Sequence, residues 1–273
     1  MKRILVPTDF SENARNALIA ALKLAREIGG EVLLLYVYDK PSSGQSVLRD
    51  LSSQLEQHAL QDLDQELVEV KEYCPGVQTS LKAVKGDVPE MIHKTVGMER
   101  IDLIVMGKTG RSGFSNKLFG SVAVDTIEGS NVPVWLIPEK WTFAPLTRFC
   151  FASDLSDLNY AEILKPLCQL SRVFNAQVDV VHFSPDPEYM EELQQEGAKA
   201  RKDINAVLGE LKHQFILAVR EDVTKALLKH LDQTECDTVV MIKHEYPWGS
   251  KVFRKSPTLE TAIKTKIPLL VLH

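Results

Sequence analysis

A chain of 273 residues has room for two domains of ordinary size. Its apolar fraction of 44% and charged fraction of 25% are those of a globular protein rather than a disordered or membrane-embedded one. The net charge of −5, with neither half basic, argues against a large nucleic-acid footprint, and no apolar run approaches the length of a membrane span. The opening MKRILVPTDF has two basic residues but no apolar core long enough for a signal peptide. Cys74, Cys150, Cys168 and Cys236 are scattered without a C-x-x-C pair, which suits reduced thiols in a cytoplasm.

In chain order, Lys2–Pro7 reads as a short apolar strand, and Thr8-Asp9-Phe10-Ser11 as a turn rich in helix-capping residues. Ala14, Ala17, Leu18, Ala21, Leu22 and Ala25 then recur at helical spacing until Gly29-Gly30 stops the helix. Val32–Tyr38 is a second buried strand, Pro41–Ser46 a loop, and Val47–Tyr73 a long polar-faced helix broken by Pro75-Gly76. Val77–Val84 is a third strand. Gly86-Asp87-Val88-Pro89 opens another helix, with proline tolerated in its first turn.

Ile101 to Met106 is a nearly continuous apolar run closed by Gly107, the signature of a parallel strand buried on both faces. Gly110 and Gly113 follow, and Gly120-Ser121 opens a helix whose Val122, Val124 and Ile127 have helical spacing, with Ser121 as the capping hydroxyl. Pro133 and a last strand, Val134–Ile137, complete the series. Strands alternating with helices predict a parallel sheet with helices on both faces. A strand feeding a glycine-rich loop and then a helix N-terminus is a geometry that holds anions, because backbone N–H groups can close on a phosphate.

Gly107-Lys108-Thr109 mimics the end of the G-x-x-x-x-G-K-[ST] phosphate loop. That motif needs glycine at position 102, where Asp102 stands, and a loop where Leu103–Met106 form a strand. What fits is G-x-x-G, nine residues, then G-[ST]: Gly107, Gly110, Gly120 and Ser121.

Residues 139–147 contain no periodicity and read as a linker between a domain at 1–138 and another at 148–273. Arg148–Ser153 with Asp154 echoes Arg3–Thr8 with Asp9 at an offset of 145. Cys236–Met241 lies over Ile101–Met106 at an offset of 135, which holds through Ser121/Ser256 and Pro133/Pro268. A constant offset across strand, loop, helix and strand marks an internal repeat. At that offset Gly107, Gly110, Gly120 and Val122 become Ile242, Glu245, Lys255 and Pro257. A β-branched residue cannot replace a glycine that takes positive φ or lets backbone approach a phosphate, and Glu245 would repel the anion. One phosphate site is therefore expected, in the first half. Tyr246–Gly249 and the charged run Lys251–Lys255 replace the phosphate loop in the second half, read as a packed loop, with a small-molecule or partner site as the alternative.

The glycine motif in its strand–loop–helix setting resembles the nucleotide-binding loop of the universal stress protein family, and the resemblance extends over the whole chain as a tandem form, weaker in its second half. The resemblance implies two doubly wound parallel five-stranded sheets of order 3-2-1-4-5, the adenine nucleotide alpha hydrolase-like α/β fold. In such sheets ligands bind outside the strand ends where the order reverses, between strands 1 and 4. Matched by position, Pro7, Thr8 and Asp9 correspond to the first-strand motif, with Asp9 at the adenine–ribose end. Val37 corresponds to the wall of the adenine, Met106 and Gly107 to the ribose contacts, and Gly110, Gly120, Ser121 and Val122 to the phosphate contacts. Thr109 stands where many members have histidine; Lys108 and Arg111 add phosphate contacts, or all three are caps or exposed side chains. The implied ligand is ATP, with or without Mg2+.

No G-x-S-x-G elbow, H-E-x-x-H pair or catalytic carboxylate pair accompanies the loop, so hydrolysis is expected to be slow at most. The histidines show no ligand spacing; His230, Cys236 and His244 are close in sequence but are expected to be separated by a strand, so no metal site is read. The expected role is a cytoplasmic stress-response protein whose nucleotide occupancy sets its conformation or protein partner. A nucleotide-independent interaction scaffold and a slow ATPase are the alternatives. Neither nucleic acid nor membrane is an expected partner. The last strands, Val134–Ile137 and Leu269–Leu272, are expected to pair as an internal pseudo-dimer, with homodimerisation open.

Overall fold

The structure, a computed structural model, describes residues 1–38, 48–110, 120–188, 191, 197–243 and 265–273. The expected loop Pro41–Ser46, Val47, Arg111 and Gly113 lie outside the described residues, as do His244, Glu245, Tyr246–Gly249, Lys251–Lys255, Ser256 and Pro257. The chain divides into two compact units, Met1–Phe143 and Ala144–His273.

The first unit alternates β1 (Arg3–Thr8), α1 (Glu12–Ile28), β2 (Glu31–Tyr38), α2 (Leu48–Lys71), β3 (Gln78–Lys85), α3 (Val88–Glu99), β4 (Leu103–Gly107), α4 (Ser121–Gly129) and β5 (Val134–Ile137). Its strands are parallel in the order β3-β2-β1-β4-β5. Crossovers that step in opposite directions from β1 put their right-handed helices on opposite faces: α1 packs beside α2, and α3 beside α4. Ile4, Leu5, Val6, Leu34, Leu35, Leu103, Ile104 and Val105 are wholly buried, as strands covered on both faces require.

Local chemistry sets the element ends. Ser11 caps α1 by accepting the Ala14 N–H at 3.2 Å, and Gly29 closes it in the left-handed region at φ 62°. Six expected inward positions of α1, from Ala14 to Ala25, are buried. Strand β4 begins at Leu103 rather than Ile101, because Asp102 serves as a clamp: its Oδ2 accepts the N–H groups of Lys2 and Arg3 at 2.6 and 3.0 Å. Helix α4 is capped by Gly120, not Ser121. Ser121 is its first helical residue, and no side chain caps the turn.

The second unit contains β6 (Arg148–Ala152), α5 (Tyr160–Ile163), α6 (Lys165–Phe174), β7 (Gln177–Ser184), α7 (Gly197–Leu208), β8 (His213–Val219), α8 (Val223–Thr234), β9 (Thr238–Ile242) and β10 (Leu269–Leu272). Its strands run parallel in the order β8-β7-β6-β9-β10. The two units share small details at the offsets seen in the sequence. Thr8 Oγ1 accepts the Phe10 N–H at 3.0 Å, and Ser153 Oγ accepts that of Leu155 at 3.1 Å. Phe10 and Leu155 both adopt positive φ, 61° and 58°. Asp237 repeats the Asp102 clamp on the N–H groups of Thr147 and Arg148 at 2.6 and 2.8 Å.

Candidate functional site

The strand order reverses beside β1, whose neighbours are β2 and β4. Chains leaving β1 and β4 therefore part there and leave a crevice of about 570 Å³ at the carboxyl ends of the strands. Pro7, Thr8, Asp9, Val37, Met106, Gly107, Gly110, Gly120, Ser121 and Val122 all line it. Thr109 lines it too, whereas Lys108 does not. Towards β2 and the start of α3 the walls are apolar, from Leu35, Val37 and Val88. Towards β4 and α4 they are small or polar, from Gly107, Gly110, Gly120 and Ser121.

The glycines are needed for close approach rather than for left-handed backbone, since none of Gly107, Gly110 and Gly120 has positive φ. A Cβ on Gly107 would lie 2.9 Å from Asn13 Nδ2, and one on Gly110 would lie 2.9 Å from Asp9 Oδ2. Asn13 explains the first contact. From the buried side of α1 its amide donates to the Thr109 carbonyl and hydroxyl oxygens at 2.9 and 3.1 Å, which pins the start of the glycine loop. The far end is pinned to the near one, with the Gly120 N–H donating to the Lys108 carbonyl at 3.1 Å and the Lys108 N–H to Ile137 at 2.9 Å. Gly120 therefore offers bare approach surface, not a donor. The first helical residues, Ser121 and Val122, carry N–H groups with no preceding helical carbonyl to reach.

Asp9 is the one acid lining the crevice among the described residues. Its Oδ1 accepts the Ser11 N–H at 3.1 Å, an Asx turn, and Asp154 makes the same bond to Ser156 at 3.2 Å in the second unit. The Thr8 hydroxyl is committed elsewhere, accepting from Phe10 and donating at 3.0 Å to Glu66 Oε2. Glu66, on α2 and buried, has its carboxyl pushed up by desolvation, a trend that Thr8 and Arg15 oppose. Burial also lowers the Lys108 ammonium to about 8. The loop base is thus held by Asn13, and the β1 turn by Glu66 through Thr8. Neither residue was read from the sequence as part of the site, nor were the lining residues Ala14, Leu35, Tyr36, Val88 and Ala123.

In the second unit the matching strand ends leave about 150 Å³, lined among the described residues by Ser153, Asp154, His182 and others. Here the expected separation of His230 from Cys236 is corrected. Helix α8 delivers His230, and the turn after it Cys236, to the same point beside Cys150 of β6, with ligand atoms within 4.8 Å of one another.

The sequence profile of the Universal stress protein family matches residues 1–138. Universal stress protein MJ0531 of Methanocaldococcus jannaschii is 33% identical over 145 residues, covering 51% of this chain and 84% of its own length. Universal stress protein MJ0577 of the same organism is 29% identical over 157 residues, covering 51% of this chain and 96% of its own length. The crystal structure of a universal stress protein from Archaeoglobus fulgidus superposes with a TM-score of 0.68 at 20% identity, covering 98% of this chain and 95% of that one, a likeness of fold. Among the described residues no helix is long and apolar enough to cross a membrane. Carrying the family's profile across half its length, on a doubly wound sheet, the chain belongs to the universal stress protein family.

Proposed function

We propose that the first unit binds one adenine nucleotide, ATP, in the crevice beside β1 and β4, and that its occupancy sets the conformation or protein partner of a stress-response protein. The observation that carries this reading is the lining of one crevice by ten residues drawn from four separate stretches of the chain. Its two ends suit the two ends of a nucleotide: apolar walls at Leu35, Val37 and Val88 for the base, small residues and a helix N-terminus for the phosphates. Asp9 stands at the adenine–ribose end, Met106 and Gly107 at the ribose. Ser121 and Val122 supply backbone donors to the phosphates, while Gly110 and Gly120 let them come close.

The second unit is a degenerate copy in this reading. It keeps the β1-type turn and the strand order, but Ile242 occupies the position of Gly107. Among the described residues, ATP, with or without Mg2+, would meet a single carboxylate, that of Asp9, and no paired general base; binding with slow hydrolysis at most follows.

Mass spectrometry of small molecules released from freshly purified, denatured protein tests the reading. An adenine nucleotide, absent from a Gly110→Glu variant that folds normally, is the expected result. No nucleotide, together with no heat on adding adenylates, would overturn it and leave a nucleotide-independent scaffold. Rapid phosphate release above the variant's level would identify an ATPase instead.

A further inference from the structure

The interior of the second unit holds four side chains of a kind that binds metals. Cys150 sits in β6, Asp179 in β7, His230 on α8, and Cys236 in the turn between α8 and β9. Ligand atoms of Cys150, His230 and Cys236 lie within 4.8 Å of one another. Asp179 Oδ2 lies 3.4 Å from His230 Nε2, and the two side chains are 0% and 10% exposed. That Nε2 is buried and makes no hydrogen bond. Both cysteines are buried, and neither forms a disulfide.

The fold does not require this chemistry. By strand register and helix offset, the first unit has Leu5 where the second has Cys150, Leu33 for Asp179, Thr95 for His230 and Ile101 for Cys236. All four of those residues are buried, and three are plain hydrocarbon. Replacing an apolar cluster by thiols, an imidazole and a carboxylate sacrifices packing and buries charge, which is unfavourable unless a partner compensates it.

We propose that this cluster is a zinc site, with Cys150, His230 and Cys236 as ligands and Asp179 Oδ2 at the fourth corner. One edge of the cluster, between His230 and Asp179, fits a tetrahedron. A separation of 3.4 Å is long for a hydrogen bond, yet it matches the edge of a tetrahedron with bonds of about 2.05 Å to nitrogen and oxygen, about 3.3 Å. Thiolate and imidazole donors suit Zn2+ and exclude Mg2+ and Ca2+, which take oxygen ligands, and a carboxylate at the fourth corner favours Zn2+ over Cu+.

The charges also balance. Two thiolates and a carboxylate exceed a dication by one negative charge, and Arg148 Nη1 meets it 3.1 Å from Asp179 Oδ2. Gln177 and Gln214 donate to the other carboxylate oxygen at 2.7 and 2.9 Å, an outer shell that aims Oδ2 at the site. On loading, the thiol protons of Cys150 and Cys236 pass to solvent.

The test uses the full chain, reduced, stripped of metal by chelator and titrated with Co2+ and then Zn2+. The expected result is one Co2+ per chain, with thiolate charge-transfer and tetrahedral visible bands that Zn2+ bleaches. Cys150→Ser and Cys236→Ser should each weaken Zn2+ by at least about 100-fold against a chromophoric chelator, and Asp179→Asn by about 10- to 100-fold. Cys74→Ser and Cys168→Ser should change neither readout, and circular dichroism confirms that each variant is folded. No Co2+ binding by the folded wild-type chain would overturn the site. So would Co2+ bands without thiolate charge transfer, or a Cys150–Cys236 disulfide in protein that retains no metal. Unchanged affinity in Asp179→Asn would overturn the fourth ligand.

Discussion

Gly110→Ala separates binding at the loop from folding of the unit. Among the described residues, the added methyl meets only the Asp9 carboxylate, with Oδ2 at 2.9 Å and Cγ at 4.0 Å. Moving Oδ2 out to ordinary contact takes a shift of about half an ångström, which strains the Asx bond from Ser11 but breaks no packed core. That bond contributes about 1 kcal/mol. Alanine returns about 0.4–1 kcal/mol by restricting the unfolded chain, because the backbone at Gly110 is not left-handed. Stability should therefore change by less than about 1 kcal/mol. Binding should suffer more, since the methyl occupies space left for phosphate and displaces the Asp9 carboxylate that lines the same crevice. Losing one hydrogen bond to a charged phosphate costs about 1.5–3 kcal/mol, or about 10- to 150-fold in Kd. Isothermal titration with ATP, beside urea unfolding, measures both. A Kd within about twofold of wild type, at unchanged stability, would refute the close-approach argument.

Asn13→Ala removes both bonds to Thr109 and leaves its half-buried carbonyl without that donor, so about 1–3 kcal/mol of stability should be lost in urea unfolding, together with ATP affinity. Full retention of affinity would show that the loop is held by something else. Lys108 gives a pH signature. Its ammonium is lowered from 10.5 to about 8, so between those values only the unfolded chain still binds the proton and stability rises with pH. Urea midpoints from about pH 7 to about pH 10 should climb more steeply for wild type than for Lys108→Met, and parallel profiles would contradict this. Zn2+ should raise the melting temperature of the wild-type chain and leave Cys236→Ser unmoved; equal shifts would point to adventitious binding.

Much of the architecture was legible because buried parallel strands are written as apolar runs. Leu103–Met106 and Val134–Leu136 could hardly be read otherwise, and all of them are buried. The offset of 135 seen in the sequence has a backbone counterpart: Ile104 N–H to Pro133 and Val239 N–H to Pro268, each at 2.9 Å. The crevice residues were legible because glycine spacing is visible in one dimension. Misreadings arose where a choice depends on a distant partner. Ser121 has the better capping side chain, yet Gly120 caps, since its N–H is drawn back to the Lys108 carbonyl. Asn13 occupies an inward helical position that pattern alone marks as an imperfection, and only the folded loop supplies Thr109 to it. Glu66 hides in the same way on a helix read as polar. The Cys150–His230–Cys236 cluster is invisible in sequence because 80 residues separate its first two members and the β6–β9 pairing brings them together.

Stoichiometry from calorimetric titration of ATP into the full chain addresses the nucleotide reading most directly. One site per chain is predicted, lost in Gly110→Glu and retained when Ile242 in the second unit is changed to Ala. No saturable heat, or two equivalent sites, would contradict the assignment of phosphate binding to the small residues of the first unit alone.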